Sequence, residues 1–377
     1  MTTTIPASLK LARQQAITTD YYALGYLALC IASYSDEGAS PDKVKAAIAA
    51  NVPTIGQIGD VPGTWTLDWG PAITTNLLSW KANLLFAASY RDPSTMLPIF
   101  SAVVIRGTDI SAGFLGVVKQ LKEDIEPGCQ VVWGSNAAGA CANESESSSV
   151  TPYIARGTYN GFKDLIALQG VNQSTQATQT LGEFLADFVP QYASDIAPLP
   201  LVVTGHSLGG CQTSPLSLYV NGLPAVQNGG VTVVPNSFAA PTAGNGGFAT
   251  HYLEQLPNAR RWFNTLDAIP MAFDALSSIK TVWTPCGDAI PGWANDAIDV
   301  LLLDVGKLTY AHEGGNATRQ LTGACGSTTG ASDPWGAQLE WQHFPPCGYW
   351  ALMTAQYGSQ LGSLNYPAWV TPQPACV

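Results

Sequence analysis

The sequence predicts an α/β fold, with a mostly parallel central sheet and helices on both of its faces. Three observations predict it. Short apolar runs of strand length stop at turn residues, amphipathic segments with helical spacing separate them, and 46% of the 377 residues are hydrophobic, enough to bury a sheet from both sides.

Residues 20–34 read as an apolar helix capped by Thr19 or Asp20. Ser40-Pro41-Asp42 opens a short helix to Ala50, with Ser as N-cap and Pro in the first helical position. Residues 84–89 and 100–105 are the arms of a hairpin turning at Asp92-Pro93; the second arm is continuously apolar and ends at Arg106-Gly107-Thr108. Ile110, Phe114, Val117, Val118, Leu121 and Ile125 follow at helical offsets. The polar, small-residue stretch 130–150 reads as a loop tied by Cys129 and Cys141. Leu181, Phe184, Leu185, Phe188, Val189 and Tyr192 form another helical face, pinched by Pro190. Pro198-Leu199-Pro200 then breaks the chain before a strand at 201–204, and 231–240 and 261–264 are further strands. No linker or repeat interrupts this order, so one domain is expected over 1–377.

Composition narrows the partners. The net charge is −11 and 11% of residues are charged, against about 25% in an ordinary domain. Nucleic acid is excluded, because phosphate binding needs a Lys/Arg field. No apolar stretch is long enough for a transmembrane helix. Eight cysteines and sparse charge point to a secreted protein with disulfides, its signal peptide absent from this sequence. Cys30 and Cys211 lie in apolar surroundings and can equally be small buried hydrophobes. Cys/His clusters with zinc spacing are lacking, so neither metal nor cofactor is expected.

The chemistry is concentrated in Gly205-His206-Ser207-Leu208-Gly209. A serine hydroxyl needs a neighbouring base to become a nucleophile, and it must protrude from the sheet for that base to reach it. A sharp strand-to-helix turn achieves this and leaves room only for small flanking residues, here Gly205 and Gly209. The bare pattern arises by chance in a chain with 37 glycines; the apolar run into Thr204 gives it the required context.

The elbow with its preceding Val202-Val203-Thr204 and following Gly210 resembles that of the class 3, fungal-type triacylglycerol lipases of the α/β-hydrolase superfamily. Four more segments match in order. Val103-Val104-Ile105-Arg106-Gly107-Thr108 is similar to the family's oxyanion strand and turn, and Gly161-Phe162 to the pair before its long helix. Pro241-Thr242-Ala243-Gly244-Asn245 with Phe248-Ala249 resembles a third landmark, although Thr242 stands where the family has arginine. Asn264-Thr265-Leu266-Asp267-Ala268-Ile269-Pro270 is similar to the segment carrying the family's catalytic aspartate.

The resemblance implies an α/β-hydrolase fold and a serine ester hydrolase with Ser207 as nucleophile and Asp267 as triad acid. The Ser–Asp–His order of the fold leaves His312 and His343 as bases, since His206 sits inside the elbow and His251 precedes Asp267. His312 resembles a non-catalytic histidine of the family, and Tyr349-Trp350 after His343 resembles the aromatics following its base; His343 is therefore the choice and His312 the reserve. The backbone N–H groups of Thr108 and Leu208 are the expected oxyanion donors. The 110–125 helix occupies the place of the family's lid, and 272–335 reads as an inserted segment. Pro215 should kink or shorten the helix after the elbow. The expected protein is a monomer acting on lipid esters at an oil–water interface, as a triacylglycerol lipase or long-chain esterase. A feruloyl-type esterase or phospholipase A1 on the same scaffold is the alternative, and a catalytically silent binding relative is a third reading.

Overall fold

In a computed structural model of the chain, residues 5–35, 39–74, 83–107, 125–135, 139–328, 330–360 and 364 are described. Seven strands form the central sheet, lying side by side in chain order: β1 (Thr64–Ile73), β2 (Leu84–Arg91), β3 (Pro98–Ile105), β4 (Leu199–His206), β5 (Val231–Phe238), β6 (Arg260–Asn264) and β7 (Thr318–Leu321). β1–β2 and β2–β3 pair antiparallel, and every later pairing is parallel.

Strand side chains alternate between faces, and here both faces are apolar and buried. In β4, Leu199, Leu201 and Val203 join one core while Val202 joins the other; in β3, Val103 and Ile105 part from Phe100, Ala102 and Val104 in the same way. The second core is closed by α1 (Ala7–Thr18), α2 (Ala23–Ala32) and α3 (Pro41–Asn51). Every residue of α2 is buried, which explains why its sequence is apolar all round. The first core lies under α4 (Arg156–Ala167), α5 (Leu181–Tyr192), α6 (Leu208–Gly222), α7 (Gly246–Gln255), α8 (Gly292–Val305) and α9 (Pro334–His343).

Three expectations change. The 20–34 helix is a 3₁₀ turn at Asp20–Tyr22 followed by α2. The 130–150 loop holds a short strand, Gln130–Val132, paired antiparallel with Tyr153–Ala155, and one helical turn at Glu144–Ser147 closed by a reciprocal Asn143/Glu146 cap. Pro215 does not shorten the helix after the elbow: α6 runs 15 residues through it. Proline has no N–H for the carbonyl of Cys211 one turn back, and the Ser214 hydroxyl donates to that carbonyl instead, at 3.2 Å.

Two strands carried no readable period. β1 is an edge strand containing Gly70-Pro71, with register shifts on both sides of Trp69. β7 is four residues long and mostly polar, and it comes from inside 272–335, so this segment completes the sheet. The 110–125 helix lies outside the described residues, except that Ile125 is buried in the first core.

Disulfides join Cys129 to Cys141 and Cys286 to Cys325, while Cys30 and Cys211 are buried thiols. Among the described residues no helix is long and apolar enough to cross a membrane, and no cluster of metal-ligating side chains occurs. Closing a loop of 12 residues restricts the unfolded chain. Cys141→Ser is therefore expected to cost about 3 kcal/mol, read as a lowered urea midpoint.

Candidate functional site

At the end of β4 the chain turns within one residue. Ser207 takes φ 59° and ψ −127°, a conformation strained for any side chain, and α6 starts at Leu208. The turn is held from both sides, since Ser207 N–H donates to Phe238 O and Cys211 N–H to Ser207 O, each at 3.0 Å. A Cβ on Gly205 would run into the backbone of Gly209, and one on Gly209 into Ile105 O and the Arg106 carbonyl carbon. Both flanking positions therefore require glycine. The first N–H groups of a helix have no partner within it, and Leu208, the residue after Ser207, supplies the first of α6.

Asp267 is held by the turn after β6. Asn264, at the strand end and fully buried, accepts Asp267 N–H on its carbonyl and Leu266 N–H on its side chain, both at 3.0 Å. The same amide donates to the Gln342 carbonyl at 3.1 Å and to the Gln342 side chain at 2.7 Å, tying this turn to the residue before His343. Trp283 Nε1–H donates to Leu266 O at 2.8 Å from the other side. The Asp267 carboxylate is fully buried, a costly state unless every lone pair is used. Ile269 N–H donates to Oδ1 at 3.0 Å, and the Tyr349 hydroxyl (2.6 Å) and His343 Nδ1–H (2.9 Å) donate to Oδ2. Burial, reinforced by the charge of Asp267, holds the Tyr349 phenol well above its ordinary pKa, so it remains a donor.

His343 ends α9 with 1% of its surface exposed. Because Nδ1 donates to a carboxylate, its Nε2 is free to accept, and it lies 2.9 Å from Ser207 Oγ. Ser207, His343 and Asp267, separated by up to 136 residues, thus meet in one hydrogen-bonded line. Such a line can withdraw a proton from the hydroxyl and stabilise the resulting imidazolium.

His312 and His206 are engaged elsewhere. His312 Nε2–H donates to Pro270 O at 2.6 Å and stands 3.1 Å from the Thr242 hydroxyl, which itself donates to Ala272 O at 2.9 Å. Thr242 and His312 together pin the loop that follows Asp267. Glu313 lies beside them, its Oε2 3.9 Å from His312 Nδ1; against the upward push of burial, the neighbouring His312 ring and the charge of Arg261 hold its carboxyl below the usual range. His206 makes no hydrogen bond to the Ser207 hydroxyl; its ring centre is 4.8 Å from that of His343. Thr108 lies outside the described residues.

Asn264, Gln342 and the Tyr349 hydroxyl escaped the sequence reading. A polar residue directly after Trp262-Phe263, closing a strand three positions before the candidate acid, was the available signal for Asn264.

Residues 102–276 match the class 3 lipase family profile. Among curated protein sequences none matches the chain. The crystal structure of M37 lipase superposes with a TM-score of 0.69 at 20% identity, covering 89% of this chain and 95% of that one, which shows a shared fold. A mutant form of MDLA from Penicillium cyclopium aligns at 17% identity and a TM-score of 0.41, covering 84% and 85% of the two chains. The Rhizomucor miehei lipase propeptide complex gives 15%, 0.38, 67% and 62% for the same four quantities.

The tight approach at the elbow is testable without any activity. Gly209→Ala places a methyl group against backbone that cannot step aside, so stability should fall by about 2 kcal/mol, seen as a lower melting temperature. An unchanged melting temperature contradicts that packing.

Proposed function

We propose that this chain, whose residues 102–276 match the class 3 lipase profile, is a carboxylic ester hydrolase in which Ser207, His343 and Asp267 cleave lipid esters through an acyl-enzyme. The observation carrying the proposal is the buried line from Ser207 Oγ through His343 to Asp267, with both hydrogen bonds at 2.9 Å.

In this reading the Ser207 hydroxyl attacks the ester carbonyl as His343 Nε2 takes its proton. Asp267 fixes the tautomer with hydrogen on Nδ1 and stabilises the imidazolium, without itself being protonated. The Leu208 N–H, and that of Thr108 by its place in the sequence, receive the oxyanion; losing one such donor typically raises the barrier by about 3 kcal/mol. The imidazolium next protonates the departing alkoxide. A water deprotonated by His343 then cleaves the acyl-Ser207 ester, releasing the acid and restoring the hydroxyl.

We infer a long-chain ester, such as a triacylglycerol, as substrate. Family membership supports this, and so does a net charge of −11, which disfavours anionic surfaces but not a neutral oil. The Cys129–Cys141 and Cys286–Cys325 disulfides support an extracellular site of action.

Ser207→Ala and His343→Ala should each lower kcat at least about 10⁴-fold. His312→Ala should retain activity; full activity in the His343 variant with loss in the His312 variant would reverse the assignment of the base. Tyr349→Phe removes one of three donors to Asp267 and should lower kcat about three- to tenfold at an unchanged KM. Rates on p-nitrophenyl esters should hold as the acyl chain lengthens and rise on emulsified triglyceride. Collapse beyond short chains, with no rise on emulsion, points to the feruloyl-type or other short-ester reading instead.

A further inference from the structure

Resting on the reading of Ser207 and His343 above, we propose that His206 and Tyr34 form a positioning pair that grips the backbone of His343 and sets the aim of its Nε2 on Ser207. His206 is the last residue of β4, 1% exposed, and its Nε2 lies 2.9 Å from the His343 carbonyl oxygen. A carbonyl can only accept, so this nitrogen carries the hydrogen. The neutral ring then offers a lone pair at Nδ1, and the Tyr34 hydroxyl donates to it across 3.1 Å. Burial first, and the closeness of a second titratable ring at His343 second, hold the His206 pKa well below its ordinary value, so this pattern persists at neutral pH.

Three features make the contact more than local packing. Carbonyls in the last turn of a helix lack donors within it, and His343 closes α9; His206 supplies a donor at the place where the base leaves the helix. The His206 ring lies between working parts, with centres 4.8 Å from His343 and 5.7 Å from Tyr349, whose hydroxyl serves Asp267. The grip also comes from β4, the strand that presents Ser207 one residue later, so nucleophile and base are referenced to the same backbone. Tyr34 extends the arrangement to the oxyanion strand, because a Cβ on Gly107 would meet both its hydroxyl and Ser207 Cβ. A displacement of His343 by a fraction of an ångström weakens a transfer that depends on hydrogen-bond distance.

The test uses Tyr34→Phe, His206→Leu and His206→Gln. For each, kcat and KM on soluble p-nitrophenyl butyrate are expressed per active site titrated with a fluorophosphonate, with the label located by peptide mass spectrometry. Melting temperature is followed in parallel. Tyr34→Phe and His206→Leu should lower kcat per titrated site about three- to tenfold while KM holds. His206→Gln, whose amide N–H can reach the same carbonyl, should recover most of the loss. Unchanged kcat per titrated site in all three variants, even with lower melting temperatures, overturns the inference and leaves the pair a purely structural role. Absence of label on Ser207 in the unaltered protein overturns the reading of the site, and this inference with it.

Discussion

The burial of the Asp267 carboxylate is the constraint from which the rest of the site follows. A charge with no exposed surface must be met by donors at fixed positions, because an unpaired buried ion costs several kcal/mol. Each donor comes from a different stretch: Ile269 from the loop after β6, His343 from the end of α9, and Tyr349 from the chain beyond it. Satisfying one carboxylate thus brings together segments as much as 82 residues apart. Asn264 and Gln342 reinforce the same junction with uncharged hydrogen bonds. Ser207 arrives from an independent direction, along β4, and the two halves meet where His343 Nε2 faces Ser207 Oγ and where His206 holds the His343 carbonyl.

Strain and compensation are distributed accordingly. Ser207 occupies a left-handed conformation that is unfavourable alone, and it persists because glycines on either side let β4, α6 and the end of β3 approach at backbone distance. The helix that carries this turn tolerates Pro215 because Ser214 supplies the missing donor. His312 shows the opposite case, a histidine whose ring nitrogen is spent on the Pro270 carbonyl and which therefore serves the acid loop by shape.

Much of this was legible in the sequence where the pattern is local. The elbow glycines, the buried arms of the hairpin and the apolar run into Thr204 state their structure directly, because strand burial and tight turns restrict residue type position by position. β1 and β7 were not legible: one carries a glycine and a proline and breaks register, and the other owes its state to pairing with β6 alone. Asp267 and His343 were nominated by order and resemblance, but the hydroxyl of Tyr349 and the amide of Asn264 act across distances that no local pattern encodes. The 272–335 stretch looked like an insertion because nothing in it announces a strand, yet it closes the sheet edge and sends Trp283 onto the acid loop.

The measurement that tests the central claim most directly is trapping of the acyl-enzyme. Rapid acid quench during turnover of a p-nitrophenyl ester, followed by peptide mass spectrometry, should find the acyl group on the peptide containing Ser207, accompanied by a burst of one equivalent of nitrophenol. Turnover at full rate with neither burst nor acylated Ser207 would contradict the account.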